Sequence, residues 1–252
     1  LKTDISLSQA TQLYLNLKGA GKSKTFRQAA IRNSGYVIDL LGDRTIADYS
    51  TADAGKFRNW LISRELKASS IRRIFGTIRS IINLHISEYG LSCSNGFSNI
   101  YLPAGTKTNS RKTIPISNIK IIQNICRELD DDRRWLIILI SDTGARLSEI
   151  AGLLISDINV ETDYPYLRIQ PHPWRSLKTK SSERNVPLVG AALWSAQRIK
   201  DNQESIFAFP MYSNEKNCNA NSASAALNKW LKAYVPDGCV VHSFRHSLRD
   251  RL

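Results

Sequence analysis

Hydrophobic positions recur at three- and four-residue spacing through most of the first hundred residues of the chain. The clearest stripe begins at Ile71 and ends at Tyr89, where Ser70 can cap the helix and Gly90 can stop it. This spacing places apolar side chains on one face of a helix, so the pattern predicts helices and no strands here. The predicted helices cover residues 8–17, 25–41, 52–66 and 70–88.

The second half of the chain mixes helical and extended patterns. Three short β-branched or apolar segments, separated by turn residues, predict a small antiparallel sheet: Asp157–Val160, Tyr166–Gln170 and Asn185–Val189. Helices are expected at 117–129, 132–141, 145–153, 190–201 and 221–234, and a last one around His242. The predicted fold class is mainly α with a small antiparallel β-sheet, in an all-helical domain followed by an α+β domain.

A segment without hydrophobic periodicity separates the two halves. Residues 103–115, PAGTKTNSRKTIP, are rich in Pro, Gly, Thr, Ser and basic residues. Such composition is typical of an exposed connection between domains. We therefore expect domains at 1–102 and 116–252, with a basic linker at 103–115.

Charge gives the first indication of a partner. The chain has a net charge of +13 and a pI near 9.7. Residues 1–112 hold 17 Lys and Arg against 7 Asp and Glu, whereas residues 113–252 hold 18 against 15. A strongly basic balance favours a polyanion, most often nucleic acid, although a soluble protein with solvated charges is the alternative.

Other features of composition restrict the class of protein. The longest apolar run is the six residues ending at Ile140, far below the ~20 that a membrane helix requires. The four cysteines form no CxxC pair, which favours free thiols in a reducing compartment. We expect a cytoplasmic protein that does not enter a membrane.

One helix face carries candidate DNA contacts. Arg72, Gly76, Arg79 and Asn83 lie on the side of helix 70–88 opposite its apolar stripe. A glycine between arginines would let a phosphate backbone approach closely, although a solvated polar face explains the pattern equally well. The other candidates are adjacent or lie in the linker: Arg73, Lys107, Arg111 and Lys112.

Three basic clusters in the second half suggest phosphate chemistry. They are TGARLSEI with Arg146, SLKTKSSERNVPL with its lysines, and HSFRH with His242 and Arg245. Phosphoryl transfer needs positioning and charge neutralisation, which two arginines and a proton donor can supply. A zinc site is the competing interpretation, because Cys239, His242 and His246 have a C-x2-H-x3-H spacing, but no CxxC accompanies it.

These clusters, in this order, resemble the boxes of the tyrosine recombinases, or phage-type integrases. TGARLSEI is similar to the first-arginine box, KTKSSERNVPL to the β-hairpin that carries the catalytic lysine, and HSFRH to the H-x-x-R box. The resemblance implies that Arg146 and Arg245 clamp the scissile phosphate and that His242 assists proton transfer. It also implies that a hairpin lysine protonates the 5′-oxygen and that Glu149 supports the arginine box.

Two points of the resemblance stay open. Lys178 and Lys180 both lie near the expected position, and Lys178 is favoured because Lys-Thr resembles the family hairpin. Neighbours on a strand point in opposite directions, so only one can face inward. Tyr212 and Tyr234 precede the H-x-x-R box and do not match the nucleophile, so we expect a C-terminally truncated recombinase.

The resemblance also implies partners. These are double-stranded DNA with attachment sites, clamped between the two domains, and a homotetramer on DNA for the full-length protein. A host DNA-bending protein is a further possible partner, and the cytoplasm of a bacterium, at the nucleoid, is the expected location. No cofactor, metal or nucleotide is expected, because a covalent intermediate conserves the energy of the broken bond. The alternative is a DNA-binding protein without catalysis, or a degenerate recombinase.

Overall fold

The computed structural model describes residues 5–104, 112–202 and 204–251. The chain divides into two compact units, Leu1–Thr108 and Asn109–Leu252. Each unit has its own buried apolar core. Lys107 and Arg111 of the predicted linker lie outside the described residues, and the linker with its predicted bounds stays a prediction.

The first unit has helices and no strands among its described residues. Its elements are α1 (Leu7–Lys18), α2 (Lys24–Leu41), a 3₁₀ turn (Ile46–Asp48), α3 (Thr51–Ser63) and α4 (Ala68–Tyr89). The apolar stripe of α4 is buried as predicted, from Ile71 to His85. It packs into a core that includes an aromatic cluster, in which the Phe57, Phe75 and Phe97 rings lie 5.5–6.1 Å apart.

Helix ends in this unit differ from the sequence prediction. α4 begins at Ala68 after Lys67, so Ser70 lies inside the helix and its predicted capping role is wrong. α3 ends at Ser63 rather than at residue 66, because Glu65 adopts a left-handed conformation with φ 55°. The predicted stop at Gly90 is confirmed, with φ 56° and its amide bonded to the Ile86 carbonyl.

The second unit combines six helices with a three-stranded sheet in its described residues. The helices are α5 (Ile116–Leu129), α6 (Asp132–Thr143), α7 (Leu147–Ala151), α8 (Gly190–Asp201), α9 (Ala220–Leu231) and α10 (Ser243–Arg249). The strands are β1 (Ile158–Asn159), β2 (Tyr166–Ile169) and β3 (Arg184–Pro187), and 3₁₀ turns cover Ile155–Asp157 and Lys180–Ser182. The predicted fold class is confirmed.

The sheet is an antiparallel meander in the order β1-β2-β3. β1 is shorter than predicted because Asp157 belongs to the 3₁₀ turn, where its buried carboxylate accepts hydrogen bonds from the Leu154 amide and the Gln170 side chain. β2 and β3 pair Leu167 with Val186 and Ile169 with Arg184. Leu167 and Ile169 are fully buried, so this face of the sheet covers the core.

Helix α6 is the centre of the second unit. Its residues Leu136–Ser141 are all buried, as expected for a helix that other elements surround. α5, α8 and α10 pack against it. It begins at the Asp131 cap, whose carboxylate accepts the Arg134 amide at 3.0 Å, and it ends at Gly144. Within the described ranges, no helix is long and apolar enough to cross a bilayer.

The core of the first unit contains a buried ionisable side chain, His85 of α4. The His85 side chain is 1% exposed and packs against Tyr89, with ring centroids 4.7 Å apart and the ring planes tilted by 40°. Neither ring nitrogen has a hydrogen-bond partner among the described residues. Desolvation by burial lowers the pKa of His85, because the charged imidazolium loses its hydration in an apolar site.

This burial predicts an acid-sensitive first unit. Below the ordinary histidine pKa of about 6.5, the unfolded chain binds a proton that folded His85 resists, so stability falls as the pH decreases. Between pH 7.5 and 5.5 the loss would reach at most about 1.4 kcal/mol. Hydrogen exchange of α4 amides at the two pH values measures it. His85→Leu should remove this component, and an unchanged pH dependence in that variant would contradict the assignment.

Candidate active site

The turn between α6 and α7 places Arg146 at the start of a helix. Arg146 is the N-cap of α7, and its amide donates to Glu149 Oε2 at 2.9 Å. Its guanidinium Nη1 donates to Glu149 Oε1 at 2.6 Å and to Ser182 Oγ at 3.3 Å. The predicted helix 145–153 is therefore shorter, because Arg146 is used as its cap. These two bonds fix Nη1 of the guanidinium, while the side chain stays 30% exposed.

A buried carboxylate holds this arginine. The Glu149 side chain is 2% exposed, and Arg184 Nη2 also donates to it, at 3.0 Å from Oε2. Burial alone would raise the pKa of Glu149, but hydrogen bonds from the Arg146 amide and from the Arg184 and Arg146 side chains outweigh it and lower the pKa. Glu149 thus stays ionised at neutral pH.

Arg184 is not among the site residues predicted from the sequence, and the predicted strand begins after it, at Asn185. Arg184 begins β3 and pairs with Ile169, and directly paired residues in an antiparallel sheet point to the same face. Since Ile169 is buried, Arg184 is directed toward the core side, where it meets Glu149. The sequence does carry a signal for the direction of this side chain. Arg184 shares one strand face with Val186 and Leu188, which are both apolar, and that face is expected to be buried.

The second predicted arginine reaches the same turn from the last helix. Arg245 lies in the first turn of α10, and its Nη1 donates to the Gly144 carbonyl at 2.6 Å. Gly144 adopts φ 57°, and a Cβ there would lie 2.7 Å from Leu248 Cδ2. The left-handed backbone of this turn favours glycine, and α10 packs closely on it through the Leu248 side chain. The structure brings Arg245 within two residues of Arg146.

His242 precedes α10 as its N-cap and is exposed. Its ring lies 5.1 Å from that of His246, at an interplanar angle of 80°. The zinc interpretation receives no geometric support: in the described part of the chain, no three His, Cys, Asp or Glu side chains are grouped to hold a metal. The Cys239 thiol instead lies 3.5 Å from the Thr113 carbonyl oxygen.

The two candidate lysines lie in the β2–β3 connection, and neither is on a strand. Lys178 is exposed in a bend, and Lys180 begins the 3₁₀ turn, with a side chain outside the described part of the structure. The argument that only one of them can face inward assumed a strand and was therefore wrong. Residues two apart on a strand would in any case share a face. Hydroxyl groups shape this segment: Thr179 Oγ1 lies 3.1 Å from Ser181 Oγ and 2.9 Å from Ser182 Oγ.

A buried polar cluster fixes the start of the same connection. His172 Nε2 lies 2.7 Å from Asp157 Oδ2, and its ring stacks on Trp174 at 4.7 Å. Trp174 Nε1 donates to the Gly152 carbonyl at 3.1 Å, just after α7. Arg175 is 4% exposed and donates to the Gln170 carbonyl. This cluster ties the lysine-bearing connection to the end of α7.

The predicted DNA contacts on α4 have a structural use as well. Arg72 Nε donates to the Pro103 carbonyl at 3.1 Å, and Arg79 Nε donates to the Phe97 carbonyl at 2.6 Å. These bonds attach the segment after α4 to the helix. Arg73 and Gly76 are exposed, and a Cβ on Gly76 would meet nothing within 4 Å. In the second unit, Lys112 Nζ donates to the Asp237 carbonyl at 2.7 Å.

Solved structures share this fold at low sequence identity. The integrase of transposon Tn1549, in complex with transposon right end DNA, aligns with a TM-score of 0.78 and 17% identity over 98% of this chain and 86% of that chain. A lambda integrase tetramer bound to a Holliday junction aligns at 0.72 and 18%, over 98% and 73%. Lambda integrase bound to DNA aligns at 0.68 and 16%, over 97% and 85%.

A comparison with curated proteins gave no match. The model of the phage integrase family matches residues 113–252, which is more than half of the chain and contains both arginine boxes with the hairpin between them. The chain therefore belongs to the phage integrase family.

Proposed function

We propose that this chain is part of a site-specific recombinase that cleaves and rejoins double-stranded DNA through a covalent 3′-phosphotyrosine intermediate, in which neither Tyr212 nor Tyr234 is the nucleophile. The observation that supports it most strongly is the meeting of the two arginine boxes at one turn. Arg245 contacts Gly144, a residue 101 positions away in the sequence, and Gly144 lies next but one to Arg146. Two fixed guanidinium groups at one turn suit a phosphodiester, whose non-bridging oxygens accept planar donors.

The proposed chemistry exchanges one phosphate ester for another. A tyrosine hydroxyl attacks phosphorus, the bond from phosphorus to the 5′-oxygen breaks, and the 3′-phosphate remains on the tyrosine. Arg146 and Arg245 would stabilise the charge on the pentacoordinate transition state, and His242 would take part in proton transfer at the nucleophile. Lys178 would donate a proton to the leaving 5′-oxygen, with Lys180 as the alternative. Attack by another 5′-hydroxyl reverses the steps and rejoins the strand.

Charge and related structures support DNA as the substrate. The first unit carries most of the positive surplus, and the Tn1549 and lambda integrase structures contain DNA. Arg73, together with the outer nitrogens of Arg72 and Arg79, would contact phosphates along α4. A tetramer on two DNA sites is the assembly that we propose, by analogy with the lambda integrase tetramer. Nucleoid-bound protein in the cytoplasm is the corresponding location.

Replacement of Arg146 separates catalysis from binding. In the full-length protein, Arg146→Ala should lower single-turnover strand cleavage by at least about 10²-fold, the usual cost of losing one transition-state donor. DNA affinity should change less than about threefold, because many other cations contribute to it. Cleavage of an attachment-site duplex and fluorescence anisotropy measure the two quantities. Arg168→Ala, on the exposed face of β2, is the matched control and should alter neither.

Equal losses of cleavage and affinity in Arg146→Ala would contradict the proposal. They would favour the alternative class, a DNA-binding protein without catalysis. A charge-preserving Arg146→Lys variant keeps the test valid if the alanine variant unfolds, because the proposal requires the planar fork and not only the charge.

Salt dependence tests the role of the α4 face. Each phosphate contact releases bound counterions, so the logarithm of the affinity should fall linearly with the logarithm of salt concentration. Arg73→Ala should weaken binding to all sequences and reduce the slope by about one. Arg133→Ala is the matched control, since this exposed arginine lies beside Asp130–Asp132 and should not contact DNA. An unchanged slope for Arg73→Ala would remove Arg73 from the interface.

A further inference from the structure

Glu149 is shared by two arginines from different elements. Arg146 at the start of α7 binds Oε1, and Arg184 at the start of β3 binds Oε2. Arg184 is itself fixed, because its Nη1 donates to the Ser182 carbonyl at 2.7 Å. The carboxylate lies between the two guanidinium groups as their shared acceptor, and it is 2% exposed, whereas the arginines are 30% and 31% exposed.

The charges in this arrangement do not cancel. A buried carboxylate paired with Arg146 alone would neutralise the charge that a phosphate is meant to meet. Arg184 supplies a second positive charge to the same carboxylate, so the group of three keeps a net charge of +1. Charges a few ångströms apart in a partly buried site interact far more strongly than in water, so this difference affects any anion bound by Arg146.

Arg184 also limits how Glu149 binds Arg146. Glu149 Oε2 receives the Arg146 amide and Arg184 Nη2, whereas only Oε1 receives the Arg146 guanidinium. Without Arg184, Oε2 would be available to a second guanidinium nitrogen. Arginine and carboxylate groups favour such two-point pairing. That pairing would turn donors of Arg146 away from a phosphate.

We propose that Arg184 is a positioning residue for phosphate binding: acting through Glu149, it keeps the net charge of the group around Arg146 positive and keeps Arg146 correctly oriented toward the DNA. The proposal rests on the proposed function, in which Arg146 binds the scissile phosphate. It assigns a role to a residue that need not touch the DNA. It differs from a structural role, in which Arg184 only attaches the β2–β3 hairpin to α7.

A double-mutant cycle tests the route through Glu149. In the full-length protein, Arg184→Gln should lower single-turnover cleavage of an attachment-site duplex by about 10- to 100-fold, less than the loss of a direct transition-state donor. DNA affinity should stay within about threefold, since other phosphate contacts dominate binding. In a Glu149→Gln background, where no carboxylate needs to be offset, the same Arg184→Gln change should cost less than about threefold. Arg184→Lys should recover part of the rate.

A modified substrate separates Arg184 from the hairpin lysine. In a 5′-bridging phosphorothiolate, the bond from phosphorus to sulfur breaks and the thiolate leaves without needing a proton. This substrate should restore cleavage by Lys178→Ala (or Lys180→Ala, if that lysine is the acid). It should not restore cleavage by Arg184→Gln, because that variant impairs charge stabilisation. Arg168→Gln, on the neighbouring strand β2, is the matched control and should behave like the parent protein.

Several outcomes would overturn the proposal. Equal losses from Arg184→Gln in both backgrounds would show that Glu149 is not the route. Recovery of Arg184→Gln on the phosphorothiolate would assign Arg184, like the lysine, to protonation of the leaving group. A loss of cleavage that follows the drop in Tm and disappears at lower temperature would make its role structural. Failure of the proposed function is distinguishable, because Arg146→Ala would then lower cleavage and DNA affinity equally.

Discussion

The arrangement of the site depends on one buried carboxylate. Burying an ionised group is costly unless hydrogen bonds and opposite charges replace its hydration. Glu149 receives both, from the Arg146 amide and from two guanidinium groups. Because these donors come from α7 and from β3, the carboxylate fixes the helix and the hairpin against each other. Arg146 then has little freedom to reorient, which is what a group that must meet a transition state requires.

The surrounding core gives this carboxylate its place. α6 is buried from Leu136 to Ser141 and is capped by Gly144, whose left-handed backbone turns the chain abruptly toward Arg146. α10 packs against that turn through Leu248, and Arg245 binds the carbonyl that the turn exposes. Further along α10, Ser247 Oγ accepts the Ile114 amide at 2.7 Å. Apolar packing therefore places the cationic groups, and polar bonds set their orientation.

Hydrophobic periodicity predicted the helices and strands, but it did not predict that Arg184 pairs with Glu149. The stripe of α4, the buried α6 and the β2–β3 hairpin are continuous patterns, so the sequence reveals them directly. Helix ends depend on the local conformation of single residues. The start of α4 was therefore wrongly assigned to a cap at Ser70, and α3 was extended past Glu65, which is left-handed. Arg184 was missed because a charged residue at a strand end is ordinarily solvated. Alternation with Val186 and Leu188 indicates the core side of the strand. The structure adds that the partner of Arg184 there is a buried carboxylate, Glu149.

The two units fix arginine side chains by similar means. On α4, Arg72 and Arg79 each give their Nε to a backbone carbonyl of the following segment, so the basic face is also an attachment surface. This arrangement holds the guanidinium groups in place while their outer nitrogens remain for solvent or phosphate. In the second unit a buried carboxylate does the same for Arg146. Fixing a cation reduces the conformational entropy lost when an anion binds. In the function proposed above, this would favour DNA affinity at α4 and charge stabilisation at Arg146.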